Sequence, residues 1–502
     1  MTASTDAGAL IGRAESWRSI DWPTAQRETR RLQVRIAKAV KEGRHGRVQS
    51  LQWLLTHSRY AKALAVKRVT SNKGKRTPGV DGVLWKTGSD RMQAIRGLRQ
   101  RGYQARPLRR THIPKKSGKL RPLSIPTMYD RAMQALYKLA LAPVAETTAD
   151  RNSYGFREGR CCADAVAAAF SALSKPNSAT WVWEADITGC YDNISHAWMM
   201  ENIPMEKRIL RQWLKAGYVE HGITYPTLKG TPQGGVISPL LANMTLDGLE
   251  QTVLTAVPKR LRVNFLRYAD DFIVTAKSKA LLILKIIPAV KAFLAKRGLT
   301  ISEEKSKITY IRDGFKFLGQ SFRKSGNVLR ITPSIEAVRA VIEKAGTIIR
   351  KYRNDLMEKL IGKLNETLRG WANYHRHVVS SKAFNRVDQY VYRQLWRMIR
   401  RNHPGKSRGW LIQHYWQAAG QKWIFSVRRK RKDRVQLYGV VRVSSIGIRR
   451  HLKVKADANP YNPVYARYFA YRREKKEARL WKELSAWAIV KYNRRTAPQG
   501  RS

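Results

Sequence analysis

Residues 263–276 read VNFLRYADDFIVTA. Two apolar runs rich in β-branched and aromatic residues flank Tyr268-Ala269-Asp270-Asp271, a pattern that predicts a β-hairpin with adjacent carboxylates at its turn. Side chains along a strand alternate between faces, but at a tight turn two neighbours can approach one point. Two anions so placed repel, and the pairing is costly unless a cation lies between them. A hard ion such as Mg²⁺ takes oxygen ligands and keeps room for waters and substrate phosphates. Asp-Asp alone is also what an ordinary polar turn contains.

A third acid comes from WVWEADITGCYDNISH (181–196), where an apolar strand runs into Asp186 and Thr188-Gly189-Cys190 makes a turn. Acids from two separate strand ends can hold two metal ions ~4 Å apart, the arrangement that activates an attacking oxygen and stabilises a leaving one in phosphoryl transfer. Asp186 by itself would serve equally as a strand-end cap. Other polar groups accompany these acids. In RRTHIPKKSGKLRPLSIPTMYDRAMQ (109–134), Lys115 and Arg121 flank the Gly118 turn, either as a triphosphate clamp or as a basic hairpin on nucleic-acid backbone. KGTPQGGVISPLLANMTLDGLE (229–250) holds a Pro-Gln-Gly-Gly turn, open to close approach by a base pair, ahead of a helical pattern. GLTISEEKSKI (298–308) places Lys305 in a polar loop before a strand, either to protonate a leaving pyrophosphate or as a surface lysine.

Charge narrows the class of partner. Of 502 residues, 97 are Lys or Arg and 36 are Asp or Glu, for a net charge of +61, yet 43% are apolar, enough to build a core. A charge of this size opposes compaction unless a polyanion neutralises it. No run of ~18 apolar residues is present, and the basic residues are spread along the chain, so nucleic acid is favoured over membrane. Cys161, Cys162 and Cys190 form no C-x-x-C pair, which argues against zinc and a disulfide framework and for a reducing compartment. The N-terminus lacks a secretory pattern, and Asp6 and Glu15 disfavour an organelle transit peptide. A reducing, non-secretory compartment is the expected setting.

The residues around 24–69 read as two amphipathic helices, 71–82 as a break, and 103–330 as alternating strands, turns and helices of an α+β fold. Thr332-Pro333 opens a helical stretch to about 400, and the remainder interleaves tryptophans with basic clusters such as RRKRKDR (428–434). That mixture suits phosphate contact plus base stacking, or a solvated face over core tryptophans.

In order, the blocks IPKKSGKLRPLSIPTMYDRAMQ, NSYGFREGR (152–160), ADITGCYDNISH, GTPQGGVISPLLANMTLDGLE, RYADDFIV, GLTISEEKSK and GFKFLG (314–319) resemble those of group II intron reverse transcriptase/maturases, closest to the chloroplast-like lineage. LRGWANYHRHVV (368–379) is similar to the family's thumb, the maturase or X region. The resemblance implies a right-hand polymerase: an RNA- and template-binding helical N-terminal extension (1–75), fingers and an antiparallel-sheet palm (76–330), a helical thumb (331–402) and a basic DNA-binding region (403–502). It implies Asp186, Asp270 and Asp271 as metal carboxylates, with the Ile187 carbonyl as a further ligand of two Mg²⁺ ions that Mn²⁺ can replace. Lys115 and Arg121 would hold the incoming triphosphate. Tyr191, where many relatives have Phe, would gate against the ribose 2′-OH, Gln233 would line the nucleotide pocket, and Lys305 would be the general acid. The implied partners are group II intron RNA, target DNA and dNTPs.

Many relatives end in an H-N-H nuclease with paired cysteines. No cysteine follows Cys190 here, so that nuclease is expected to be absent and the second-strand primer to come from elsewhere, such as a replication fork. HLKVKADANPYNPVYARYF (451–469) resembles the DNA-binding region that usually precedes it. Other uses of the chain would be a splicing cofactor with a decayed polymerase, a reverse transcriptase turned to defence or repair, or an RNA-templated RNA polymerase. Intact acids argue against the first, the thumb and tail blocks against the second, and the bulk of Tyr191 against the third.

Overall fold

The expected hairpin forms: Asn264–Tyr268 and Asp271–Ala276 pair antiparallel, with Tyr268 opposite Asp271. Trp181–Ala185 pairs with the second of these strands, and Lys307–Tyr310 with the other side of Trp181–Ala185, completing a four-stranded antiparallel sheet. The computed structural model describes residues 16–114, 118, 120–419, 422–431 and 434–488, so Lys115, residues 1–15 and residues 489–502 lie outside the described residues. The sheet is apolar on both faces because both are covered. Trp183, Ala185, Phe272 and Val274 join one core, while Val182, Leu266 and Ile273 join another beneath the helix Cys162–Leu173. Burying each large side chain contributes about 1.5–3 kcal/mol, so the period of two fixes the strand register firmly.

Leu108–Pro114 and Leu120–Ile125 form a second hairpin, which runs parallel at Leu108 to Tyr218–Glu220. Behind it, the helix Met128–Thr148 carries the N-terminal helices on its flank. The sequence reads residues 24–69 as two helices, but the structure has three: Trp22–Lys41, His45–His57 and Arg59–Thr70. The second expected helix breaks at Ser58, whose backbone is extended (φ −63°, ψ 127°) and which ends one helix and begins the next. The break turns Leu51 and Leu55 on one segment, and Ala61, Ala65 and Val66 on the other, toward the same core as Met133 and Leu136. A single straight helix could not aim both stripes at that core.

A meander of Phe315–Phe317, Gln320–Ser325 and Val328–Pro333 leads out of the sheet region. Pro333 ends it, and the Ser334 hydroxyl accepts from the Ala337 N–H to start the helix Ile335–Lys351. Met357–His375 and Ser381–Asn402 pack with it around Val341, Leu364, Leu368, Val387 and Leu395. The core does not stop at the expected boundary of 402, because Leu411, Trp416, Phe425, Val441 and Val443 belong to it. Asn365 secures the join: its Nδ2 donates to the Gly439 carbonyl, and its Oδ1 accepts from the Val441 N–H. The chain then returns to the sheet domain, where Val454, Ala458 and Phe469 enter the core beneath Cys162–Leu173. Among the described residues, no helix is long and apolar enough to cross a membrane.

Candidate active site

Asp186 follows directly on the strand Trp181–Ala185 and is held by a neighbouring loop. Its N–H donates to Ser306 Oγ (3.2 Å), and its carbonyl accepts from the Ser302 N–H (2.8 Å). Two residues on, the Thr188 N–H donates to the Thr300 carbonyl, which makes Ile187 and Ile301 an antiparallel pair whose ladder bonds come from their neighbours. The Ile187 carbonyl is thus left out of that pairing. The same loop carries Lys305, whose Nζ reaches to 2.7 Å from Asp186 Oδ2. This ion pair is exposed on the lysine side and modest in strength.

The hairpin turn brings Asp270 and Asp271 to the same place. Ala269 adopts φ +59°, a left-handed conformation rare for a residue with a Cβ. Burial raises the Asp270 carboxyl above the ordinary carboxylate range, and the negative charge of Asp186 adds to this against its own N–H, Arg121 and Lys305. Asp271 is pushed up to about 6 by burial, then by Asp270 and Asp186, with Lys305 opposing. These mutual effects require the acids of two separated segments to share one field.

Tyr191 and Cys190 sit on the short helix Cys190–Asn193 against this cluster. Burial, then the charge of Asp270, raises the Tyr191 phenol and pushes the Cys190 thiol up to about 12, so both stay neutral at working pH. Arg121 is exposed on Leu120–Ile125 and offsets the effect on both Asp270 and Tyr191. Gln233 lies to one side, its Nε2 donating to Asp192 Oδ2 (3.0 Å) and its carbonyl accepting from the Ser124 N–H (2.7 Å). Its turn is wedged in place: a Cβ on Gly230 would lie 2.6 Å from the Asp192 backbone, and one on Gly234 2.5 Å from the Ser124 carbonyl. The structure therefore brings Asp186, Asp270, Asp271, Lys305, Arg121 and Tyr191 together and sets Gln233 beside them. Lys115 is outside the described residues.

Several further residues build this site without any local sequence pattern that gives them a role. Arg267, Asn243, Asp247 and Gly155 lie under the hairpin turn. Each falls within a block that resembles the family's, but a buried Arg cannot be told from an exposed one by type alone. The Cys161, Asp164 and His451 group has metal-ligand residue types, yet Asp164 is already saturated. Its oxygens accept from the N–H groups of Cys161 and Val454, from Cys161 Sγ and from His451 Nε2, and Arg472 stands at 3.4 Å. A cationic guanidinium at the carboxylate opposes a metal ion there, and the group fastens the returning tail.

Three family models match the chain: N-terminal domain of reverse transcriptase over residues 17–98, Reverse transcriptase (RNA-dependent DNA polymerase) over 113–322, and Group II intron, maturase-specific domain over 338–416. The protein is a reverse transcriptase. Protein YkfC of Escherichia coli strain K12 is 32% identical over 315 residues, spanning 54% of this chain and 82% of that protein. The Group II intron-encoded protein LtrA of Lactococcus lactis subsp. cremoris is 28% identical over 427 residues, spanning 66% and 70%. The chain belongs to the group II intron reverse transcriptase/maturase family. Among solved structures, telomerase from Candida albicans in complex with a fragment of telomeric RNA aligns at TM-score 0.35 and 11% identity over 59% of each chain.

Proposed function

We propose that this chain copies its own group II intron RNA into DNA at a target site and assists that intron's splicing, with Asp186, Asp270 and Asp271 as the ligands of catalytic Mg²⁺. The observation that carries this reading is the pairing of Ala185 with Phe272, which sets Asp186 at its strand end beside the turn of Asp270 and Asp271, with the Lys305 ammonium 2.7 Å from Asp186. The donor set fits a hard divalent cation. It offers carboxylate groups, those of Asp270 and Asp271 raised above their ordinary range by burial and then by the neighbouring acids, and the Ile187 carbonyl beside them. When bound, such ions favour ionisation of a primer hydroxyl and stabilise charge on a leaving pyrophosphate.

The chain's own residues take the remaining roles. Arg121, with Lys115, holds the triphosphate of a dNTP. Tyr191 packs beside Asp270 as a neutral ring and excludes a 2′-hydroxyl by volume. Gln233 braces the nucleotide pocket through Asp192. Lys305, raised first by its hydrogen bond to Asp186, remains an ammonium at neutral pH and is placed to give its proton to pyrophosphate. The net charge of +61 supplies the attraction for intron RNA and target DNA.

The test is primer extension on an RNA template with dNTPs and Mg²⁺, run beside intron binding and splicing. Asp270→Asn should lower cDNA synthesis by ~10²–10³-fold, because a ligand loses its charge while the fold is kept. Intron binding and splicing should stay near wild type. Equal loss of splicing would show that the two activities are not separable in the way proposed.

A further inference from the structure

Arg267 is fully buried, the largest such side chain among the described residues. A guanidinium removed from water must be paired and hydrogen-bonded, and loss of its partner strongly destabilises a fold. Its Nη2 pairs with Asp247 Oδ1 at 2.5 Å, which neutralises its charge. The other terminal nitrogen is spent differently. Nη1 donates to Asn243 Oδ1 (3.1 Å) and, more weakly, to the Ala269 carbonyl (3.4 Å).

That carbonyl belongs to the peptide unit whose N–H is Asp270's. Ala269 is the residue with φ +59°, a conformation that costs about 1–2 kcal/mol unless its surroundings impose it. The surroundings do impose it. Asn243 also donates through Nδ2 to the Gly155 carbonyl (2.7 Å), and Gly155 lies so close under the turn that a Cβ there would stand 2.3 Å from the Ala269 nitrogen. The Arg267 backbone is fixed as well, donating to the Asn152 carbonyl and accepting from the Tyr154 N–H. One guanidinium therefore joins the helix Ser238–Leu246, which carries Asn243, to the strained turn that aims Asp270 and Asp271.

Resting on the assignment of those two aspartates as metal ligands, we infer that Arg267 is a positioning residue of the reverse transcriptase. Its fork holds the Ala269–Asp270 peptide plane, and through it the carboxylates, in the geometry that nucleotidyl transfer needs. The role is directional rather than electrostatic, since Asp247 cancels its charge. Lysine in its place keeps the ion pair but cannot reach Asp247, Asn243 and the Ala269 carbonyl with one planar group.

The experiment compares Arg267→Lys, Arg267→Met and Arg267→Met/Asp247→Asn in the full chain bound to its intron RNA, with Asp270→Asn alongside. The double variant removes both buried charges and keeps the test intact if the single methionine variant fails to fold. The expected result is a kcat loss of ~100-fold for the double variant and at least ~10-fold for lysine, with dNTP KM and RNA affinity close to wild type. Without divalent ions, hydrogen exchange of the amides around 268–272 should quicken ~10-fold or more in both, while exchange elsewhere in the sheet is unchanged. Wild-type kcat in the lysine or double variant, or unaltered exchange at the turn, would overturn the inference. If Asp270→Asn keeps full activity, the assignment of the acids has failed instead, whatever the Arg267 variants do.

Discussion

Replacing Asp164 with alanine should release the returning tail from the sheet domain. The carboxylate is fully buried and begins the helix Cys162–Leu173, accepting from the Cys161 N–H at 2.9 Å. Its other oxygen takes the Val454 N–H at 2.6 Å, His451 Nε2 at 2.8 Å and Arg472 at 3.4 Å. Loss of the cap costs about 1 kcal/mol. Leaving the buried Val454 N–H unpaired costs about 1–3 kcal/mol more, and the two orphaned basic groups bring the whole to roughly 3–5 kcal/mol. Most of this falls on residues 449–472, because the thumb core and the sheet have their own packing. A loss of ~3 kcal/mol multiplies the open population by ~10². Trypsin should therefore cut at Lys453, Lys455 and Arg467 about 10²-fold faster in the variant, with the main thermal transition little moved. Burial works to raise the Asp164 carboxyl, but its bonds from His451, Cys161 and Val454 and the charge of His451 outweigh it and hold the group below its usual range. A depressed carboxylate contributes stability above the unfolded pKa and loses it as pH falls through the folded value, so the wild-type tail should loosen only below about pH 4. Tryptic cutting at the wild-type rate, or a collapse of the main transition together with the tail, would refute the reasoning.

Two further outcomes are expected. Tyr191→Ala should admit ribonucleotides by at least ~10-fold in the ratio of kcat/KM values, measured by single-nucleotide extension; unchanged sugar selectivity would remove Tyr191 from the gate. RNA affinity should fall by ~10³-fold or more between 50 and 200 mM salt if six or more phosphates are contacted, and a flat titration would show that the basic surface is not used for RNA.

The hairpin and the strand before Asp186 could be read directly, because alternation over VNFLRYADDFIVTA and WVWEAD records burial on both faces of one sheet. The start of the helical stretch was equally plain, since Pro333 cannot continue a strand ladder and Ser334 caps the helix Ile335–Lys351. The break at Ser58 was not, because serine in a helical pattern is tolerated and only the shared core demands the turn. Nor was the course of the tail. Residues 451–469 are basic and aromatic, which reads as a nucleic-acid surface, yet Asp164, Glu158 and Asp457 engage His451, Tyr461 and Arg151 to bind that segment to its own chain. Pairing across nearly 300 residues leaves no local periodicity to read. Arg267 was hidden because residue type does not record burial: its partners Asn243 and Asp247 lie 24 and 20 residues away on another element, and only the fold brings them to it.

The most direct test of the central claim is anomalous scattering from Mn²⁺ in crystals of the protein with an RNA template, a DNA primer and a dNTP. Manganese bound between Asp186 and Asp270, with the nucleotide phosphates completing its shell and Lys305 drawn off Asp186, is the expected result. Metal held elsewhere, with Lys305 still paired to Asp186 beside a bound nucleotide, would contradict the account.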